Sequence, residues 1–264
     1  MTPTLAATVI VLRDAPDGME VLLLQRHGRS GFMPDMWVFP GGRVEPDDHG
    51  VPPGAVDGGA GLLRLVDDPA AARAVGLAAV RETFEESGLW LGAGAPDAAA
   101  RAALVAGTTS LPAVLSASGA RIDLDALAPW ARWVTPEGEG RRFDASFLVA
   151  FAPMDNSDHA EHDAAETVAS GWFRPAAALA AGFGAVSLAP PTFWVLHELA
   201  ALGSIDAVRA ALPARDLRPV QPVRGAVDGA LAMLLPGDPG HPEPRRSGLP
   251  TRLDLGERQW IAVP

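Results

Sequence analysis

Cysteine is absent from this 264-residue chain, which excludes disulfides, thiolate metal ligands and thiol nucleophiles. Lysine is absent too: all 21 basic residues are arginine, so composition bias must be discounted before any one of them is assigned to a phosphate. Positive charge is outweighed, with a formal net charge of -11. Nucleic acid and anionic membranes both require a positive field on the protein, so neither is an expected partner, whereas an acidic site attracts divalent cations. No apolar run is long enough to span a bilayer. Met1 to Arg13 lacks the basic start, apolar core and cleavage site of a secretory leader, and a cytoplasmic location is the expectation.

What is present fits a folded protein: 48% hydrophobic and 20% charged residues can build a sizeable core. One globular body over residues 1–264 is expected, with no clear domain boundary and no internal repeat. Ala6–Leu12 and Val21–Leu24 are short apolar runs flanking the turn-forming segment Asp14–Gly18, and they predict a β-hairpin. Met36–Phe39 reads as a strand closed by Pro40, after which Gly41 and Gly42 predict a sharp loop. Pro69–Glu86 is Ala-rich with helical spacing and Gly88 as its stop. Shorter helices are expected at 98–106, 112–117 and 176–181, and a longer one at 192–202. Strands are expected at 131–134, 146–151, near 171–173 and, in a tail dense in Pro and Gly, near Trp260.

Chemistry concentrates in Arg81-Glu82-Thr83-Phe84-Glu85-Glu86-Ser87-Gly88-Leu89. Glu82, Glu85 and Glu86 are three and four residues apart, so they share one helical face. One reading is a solvated charged face with an Arg81–Glu85 pair worth roughly 0.3 to 0.5 kcal/mol. Against it, Glu82 and Glu86 repel at i,i+4 and Glu85 adds a third negative charge. A bound cation reverses the sign, and magnesium favours oxygen ligands while leaving room for substrate phosphates.

These residues resemble the signature of the Nudix hydrolases, G-x5-E-x7-R-E-U-x-E-E-x-G-U, in which U is apolar. Arg81-Glu82, Glu85-Glu86, Gly88 and Leu89 fall in place, Thr83 takes the first U position, and Gly42 supplies the opening glycine. Asp48 stands where the pattern has Glu, and residues 49–80 replace a spacer of seven with 32. An expanded signature of this kind resembles the branch that includes the peroxisomal coenzyme A diphosphatases of mammals, as do the segments 32–42 and Arg141-Arg142-Phe143-Asp144.

The resemblance implies an α/β (α+β) fold, a Nudix α/β/α sandwich with a mixed sheet, carrying a helical insertion at 49–80 and a C-terminal extension at 203–264. It implies a magnesium- or manganese-dependent hydrolase of a small nucleotide diphosphate, with coenzyme A or acyl-coenzyme A as the leading substrate. ADP-ribose or a dinucleotide is the nearest rival, and a noncatalytic module binding a nucleotide metabolite is a rival of another class. By the same resemblance Glu82, Glu85 and Glu86 bind the cation, with Glu82 or a metal-bound water partner also serving as base, Arg81 orients the carboxylates and the main-chain carbonyl near Gly41 completes the coordination. The insertion has three open roles: lid, helical embellishment or homodimer contact.

Further candidates are less sharply marked. Glu166 is the preferred distal acid in an acidic loop that also holds Asp158, Glu161 and Asp163, while His159 and His162 in that loop read as exposed. Arg141 and Arg142 have the chemistry to grip a diphosphate or ribose phosphate by bidentate hydrogen bonds, with Arg26, Arg29 and the Gly42 turn as supporting candidates. Trp130, Trp133 and Trp172 read as core rather than base-stacking residues.

Overall fold

The chain was analysed as a computed structural model, which describes residues 2–28, 35–152, 167–181, 186–246, 248–256 and 260–263. β1 (Thr4–Ala15) turns at Gly18 into β2 (Gly18–Arg26), giving the expected hairpin with longer arms. Val9 to Leu12 are fully buried on both faces, the pattern of a central strand covered on either side. β3 (Trp37–Val38) pairs with β2, and β4 (Gly41–Arg43) pairs with the start of β1. β5 (Val56–Asp57) lies in the segment ahead of the long helix.

α1 (Pro69–Ser87) begins where Asp68 accepts the Ala71 N–H at 2.7 Å and Pro69 takes the first position, a sequence start signal of known form. It ends at Gly88, whose φ of +75° permits the left-handed turn that closes the helix. α2 (Ala98–Val105) and α3 (Leu111–Ser118) follow, then β6 (Ile122–Asp123), which pairs with β5. β7 (Ala128–Val134) and β8 (Phe143–Phe151) complete one side of the main sheet, and β9 (Thr167–Phe173) pairs with β2. Within the main sheet β1 and β8 run parallel while the other pairings are antiparallel, so that sheet is mixed, with a path β3-β2-β1-β8-β7.

α1 covers one face of this sheet, packing Val75, Leu77 and Val80 into a core with Ala7, Val9 and Val11. On the opposite face Ile10, Leu12, Trp130 and Val149 meet α4 (Pro175–Ala181), α5 (Pro190–Leu202) and α6 (Ile205–Ala211). Helices on both sides of a mixed sheet give the expected α/β/α layering. No helix among the described residues is long and apolar enough to cross a membrane.

The C-terminal region departs from expectation. In addition to the strand near Trp260, it forms β10 (Val223–Val227), β11 (Ala230–Leu234) and β12 (Arg252–Leu255), which with β13 (Trp260–Val263) make a second antiparallel sheet. The overlooked signal is Asp228-Gly229, both at positive φ (51° and 83°), the pair that closes a tight hairpin. Trp260 pins this sheet to the body by donating its Nε1 hydrogen to the Leu188 carbonyl at 3.1 Å.

Residues 49–80 are not a free loop. After 3-10 turns and β5 they supply the first turns of α1. Arg132 of β7 reaches the Leu65 carbonyl at 2.6 Å, and Arg64 reaches the carbonyls of Leu212, Pro213 and Arg215 just beyond α6 at 3.3–3.4 Å. The insertion is thereby stitched both to the main sheet and to the C-terminal part of the chain.

Candidate active site

The site forms where β4 meets α1. Pairing with β1 brings the Gly41–Arg43 backbone across Ala6 to Thr8, so close that a Cβ on Gly41 would lie 2.3 Å from the Ala7 carbonyl oxygen. At Gly42 the obstruction is the site itself, since a Cβ there would come within 2.3 Å of Glu82 Oε1. Glycine is therefore required at Gly41 by the neighbouring backbone, whereas a side chain at Gly42 would have to push the Glu82 carboxylate aside. On the helix side, Glu86 turns under this strand and accepts the Gly41 N–H at 2.9 Å.

Arg81 organises the remaining acids. Its Nε and Nη2 donate to the two oxygens of Asp48 at 2.9 and 3.0 Å, Nη1 donates to Glu82 at 2.8 Å and Glu85 at 3.3 Å, and Nη2 also reaches the Arg43 carbonyl at 3.0 Å. Asp48, wholly buried, also accepts the Glu45 N–H at 2.8 Å. The departure from the family pattern at this position is thus accommodated: the shorter acid sits on a 3-10 turn (Pro46–Gly50) that carries it to the guanidinium. Nothing in the local spacing marks this partnership, because 33 residues separate Asp48 from Arg81.

The electrostatics are one-sided. Burial alone would depress the Arg81 pKa, yet the hydrogen bond to Asp48 and the charges of Glu82, Asp48 and Glu85 outweigh it and raise the value further. Glu85 is pushed up by burial, with Arg81 pulling it down and the nearby charges of Glu45 and Asp48 adding to the rise. One guanidinium faces three carboxylates directly, which leaves a net negative charge in a partly buried place.

Glu82, Glu85 and Arg81 open onto a cavity of 1180 Å³, and Arg26, His27, Gly41, Gly42, Arg141 and Arg142 share its lining. The fold therefore gathers Arg26 and the adjacent pair Arg141–Arg142, far from it in sequence, into one cavity with the acidic helix. Arg141 is exposed, while Arg142 is half-buried and donates Nε to the Thr135 carbonyl at 3.2 Å. Glu86 is buried behind Gly41 and outside the cavity wall. Trp130 is fully buried, Trp133 contributes to the cavity, and Trp172 lies under the Arg13 guanidinium at 4.3 Å. No cavity-lining residue comes from 49–80. Glu166, the other acids and histidines of its loop, Arg29 and Phe32–Pro34 lie outside the described residues.

The donor set suits a hard divalent cation, being carboxylate oxygens beside a glycine-bearing backbone turn. Among the described residues no three acidic or histidine side chains are already drawn into a metal cage; Arg81 and the Gly41 N–H hold the glutamates instead. The cradle left by Gly42, which a methyl group would fill, keeps Glu82 against the strand.

No protein-family model matches the chain. Individual proteins do. The acyl-coenzyme A diphosphatase NUDT19 of Gallus gallus is 30% identical over 282 residues, covering 86% of this chain and 74% of that protein. The human protein of the same name is 27% identical, covering 84% and 72%. Among solved structures, a NUDIX hydrolase from Alicyclobacillus acidocaldarius superposes with a TM-score of 0.67 at 27% identity, over 83% of this chain and 99% of that one.

Proposed function

The chain belongs to the Nudix hydrolases, and on that premise we propose that it hydrolyses the diphosphate bond of coenzyme A and its acyl esters. Water adds across the anhydride, releasing adenosine 3',5'-bisphosphate and the corresponding phosphopantetheine or acyl-phosphopantetheine. The observation that carries this reading is the surplus of carboxylate over guanidinium around Arg81 in a cavity that Arg26, His27, Arg141 and Arg142 also line. A structural ion pair needs no such surplus.

In this reading Glu82, Glu85 and Glu86 hold the divalent ion that Nudix hydrolases generally use, with magnesium or manganese as the candidates and the Gly41 carbonyl as a further ligand. When bound, that ion supplies charge neutralisation and Lewis-acid polarisation at the diphosphate. The protein's own contribution is orientation. Arg81 fixes Glu82 and Glu85 from one side, and the Gly41 N–H fixes Glu86 from the other, so little reorganisation is left for the reaction itself. Glu82, held against Gly42, would accept a proton from the attacking water. Arg141, Arg142 and Arg26 bind phosphate oxygens at the cavity rim, and Gly42 lets the substrate approach the backbone. Glu166 is retained as the distal acid. The contacts of Arg64 and Arg132 support the view that the insertion and the C-terminal extension form one working unit with the sheet.

The test is mass-spectrometric product analysis with magnesium or manganese and a panel of coenzyme A, acyl-coenzyme A, ADP-ribose and dinucleotide substrates. The expected result is adenosine 3',5'-bisphosphate from the coenzyme A species at the highest kcat/KM. Preferential cleavage of ADP-ribose or a dinucleotide overturns the substrate assignment, and absence of turnover on every member overturns the enzyme assignment.

A further inference from the structure

The cavity is larger than a diphosphate requires, and it wraps around a strand. Side chains at alternate positions of a strand face opposite sides of the sheet. Ala7 and the α1 glutamates line the cavity from one face, while Thr4, Ala6 and Thr8 line it from the other. β4 at the sheet edge lies between the two parts.

On the second face, Arg43, Ala6, Ala145 and Trp133 stand in one register row across β4, β1, β8 and β7. Gly41, Thr8 and Phe147 stand in the next row of the same face. The middle of this floor is built from small side chains, which leaves a trough between the catalytic turn and the aromatic residues. Three interstrand steps of about 4.8 Å make it roughly 14 Å long. Pro222, just ahead of β10, and Met233 of β11 add to the wall, as do Pro190 and Pro191 of α5.

We propose that this trough receives the acyl-pantetheine arm of the substrate, and that Met233 of the C-terminal sheet sets the length of acyl chain accepted. The inference rests on the acyl-coenzyme A reading above. Two observations favour a flexible apolar arm over a nucleobase. Trp133 and Phe147 are only 4% and 5% exposed, and Phe147 is held edge-on to Phe39 with ring centroids 6.5 Å apart, so neither ring offers an open face for stacking. Met233 is unbranched and adaptable, a side chain suited to ligands of varying length. Arg43 stands at the β4 side of the row, and the cavity's further arginines, Arg26, Arg141 and Arg142, are left for the nucleotide phosphates.

The experiment compares wild type, Met233→Trp and Met233→Ala on free coenzyme A and on acetyl-, hexanoyl- and decanoyl-coenzyme A, with ADP-ribose alongside. Titration calorimetry of the same ligands in excess chelator gives binding without turnover. Filling the trough with Trp should lower the decanoyl-to-free coenzyme A ratio of kcat/KM about tenfold, the scale of discrimination in an apolar pocket. Ala should move the preferred chain towards the longer esters, and the calorimetric affinities should follow both shifts. Opposite shifts from one position distinguish a length gauge from general damage. Coenzyme A turnover with an unchanged chain-length ratio in both variants overturns the inference and leaves the function standing. Parallel weakening of ADP-ribose and the esters overturns it in favour of a nucleobase in the trough. If wild type cleaves no coenzyme A species, both readings fall.

Discussion

Arg81, which is buried, and Arg215, which is partly buried, both hold acids, and their surroundings differ. Arg215 clasps one carboxylate, Glu198 of α5, at 2.8 and 3.0 Å, while its Nε donates to the Trp130 carbonyl and its guanidinium lies 3.9 Å over the Trp130 ring. Trp130 closes the knot by donating its Nε1 hydrogen to Glu198 at 3.1 Å. Charge is balanced there, and neither Arg215 nor Glu198 reaches the cavity lining. Arg81 faces three carboxylates beside an open cavity. A carboxylate surplus with access to a cavity distinguishes a reaction site from a strut, although both places pair a guanidinium with a glutamate whose pKa is raised.

The sharpest way to break this comparison is to neutralise one acid in each cluster. Glu85→Gln should lower kcat by about 10²- to 10⁴-fold, as expected when several kcal/mol of transition-state charge stabilisation is lost. Glu198→Gln should stay within about threefold of wild type, since it touches no cavity-lining group. Steady-state kinetics on the preferred coenzyme A ester, with circular dichroism to verify folding, reads both. Equal losses would mean that the surplus of charge has no catalytic meaning.

Removing the arginines tests the same contrast through stability. Arg81→Met leaves Asp48, Glu82 and Glu85 facing one another without their counter-charge, and should cost about 3–5 kcal/mol, the scale for stranding buried charge. Arg215→Met leaves a single carboxyl, already disposed to take up a proton, and should cost about 1–3 kcal/mol. Urea unfolding midpoints in the absence of divalent ions measure the two. A larger loss at Arg215 would reverse the assignment of strut and site.

The smallest effect expected is in pH dependence. Burial lifts Glu198 above the ordinary glutamate value of 4.5, further than Arg215 and the indole pull it down. Between that value and the raised one, the folded state holds more protons than the unfolded chain, so the contribution of Glu198 to stability falls as pH rises through the window. Glu198→Gln, which does not titrate, should remove this slope. Unfolding midpoints across that range for both proteins check it, and parallel curves would refute the direction.

The parts of the molecule legible in sequence were those built from local rules. Asp68, Pro69 and Gly88 mark the limits of α1 because caps act within a turn or two, and the spacing of Glu82, Glu85 and Glu86 dictates a shared face. The β1–β2 hairpin follows from two apolar runs around a turn. Contacts closed over long separations left no such mark: Arg81 with Asp48, Arg132 with Asp144 and Leu65, and Arg64 with the end of α6. The second sheet is a different case. Its signal, Asp228-Gly229 between two alternating runs, is local, and the surrounding density of Pro and Gly obscured it.

The tight fit of Gly42 against Glu82 has a consequence for how such a protein can lose its activity. A side chain at position 42 fits only if the Glu82 carboxylate moves, and that carboxylate belongs to the reaction centre. No hydrophobic side chain is among the atoms such a Cβ would meet. A one-carbon change there would displace the chemistry while leaving the body of the protein intact, so a descendant lineage could pass from enzyme to pure binder in a single mutational step.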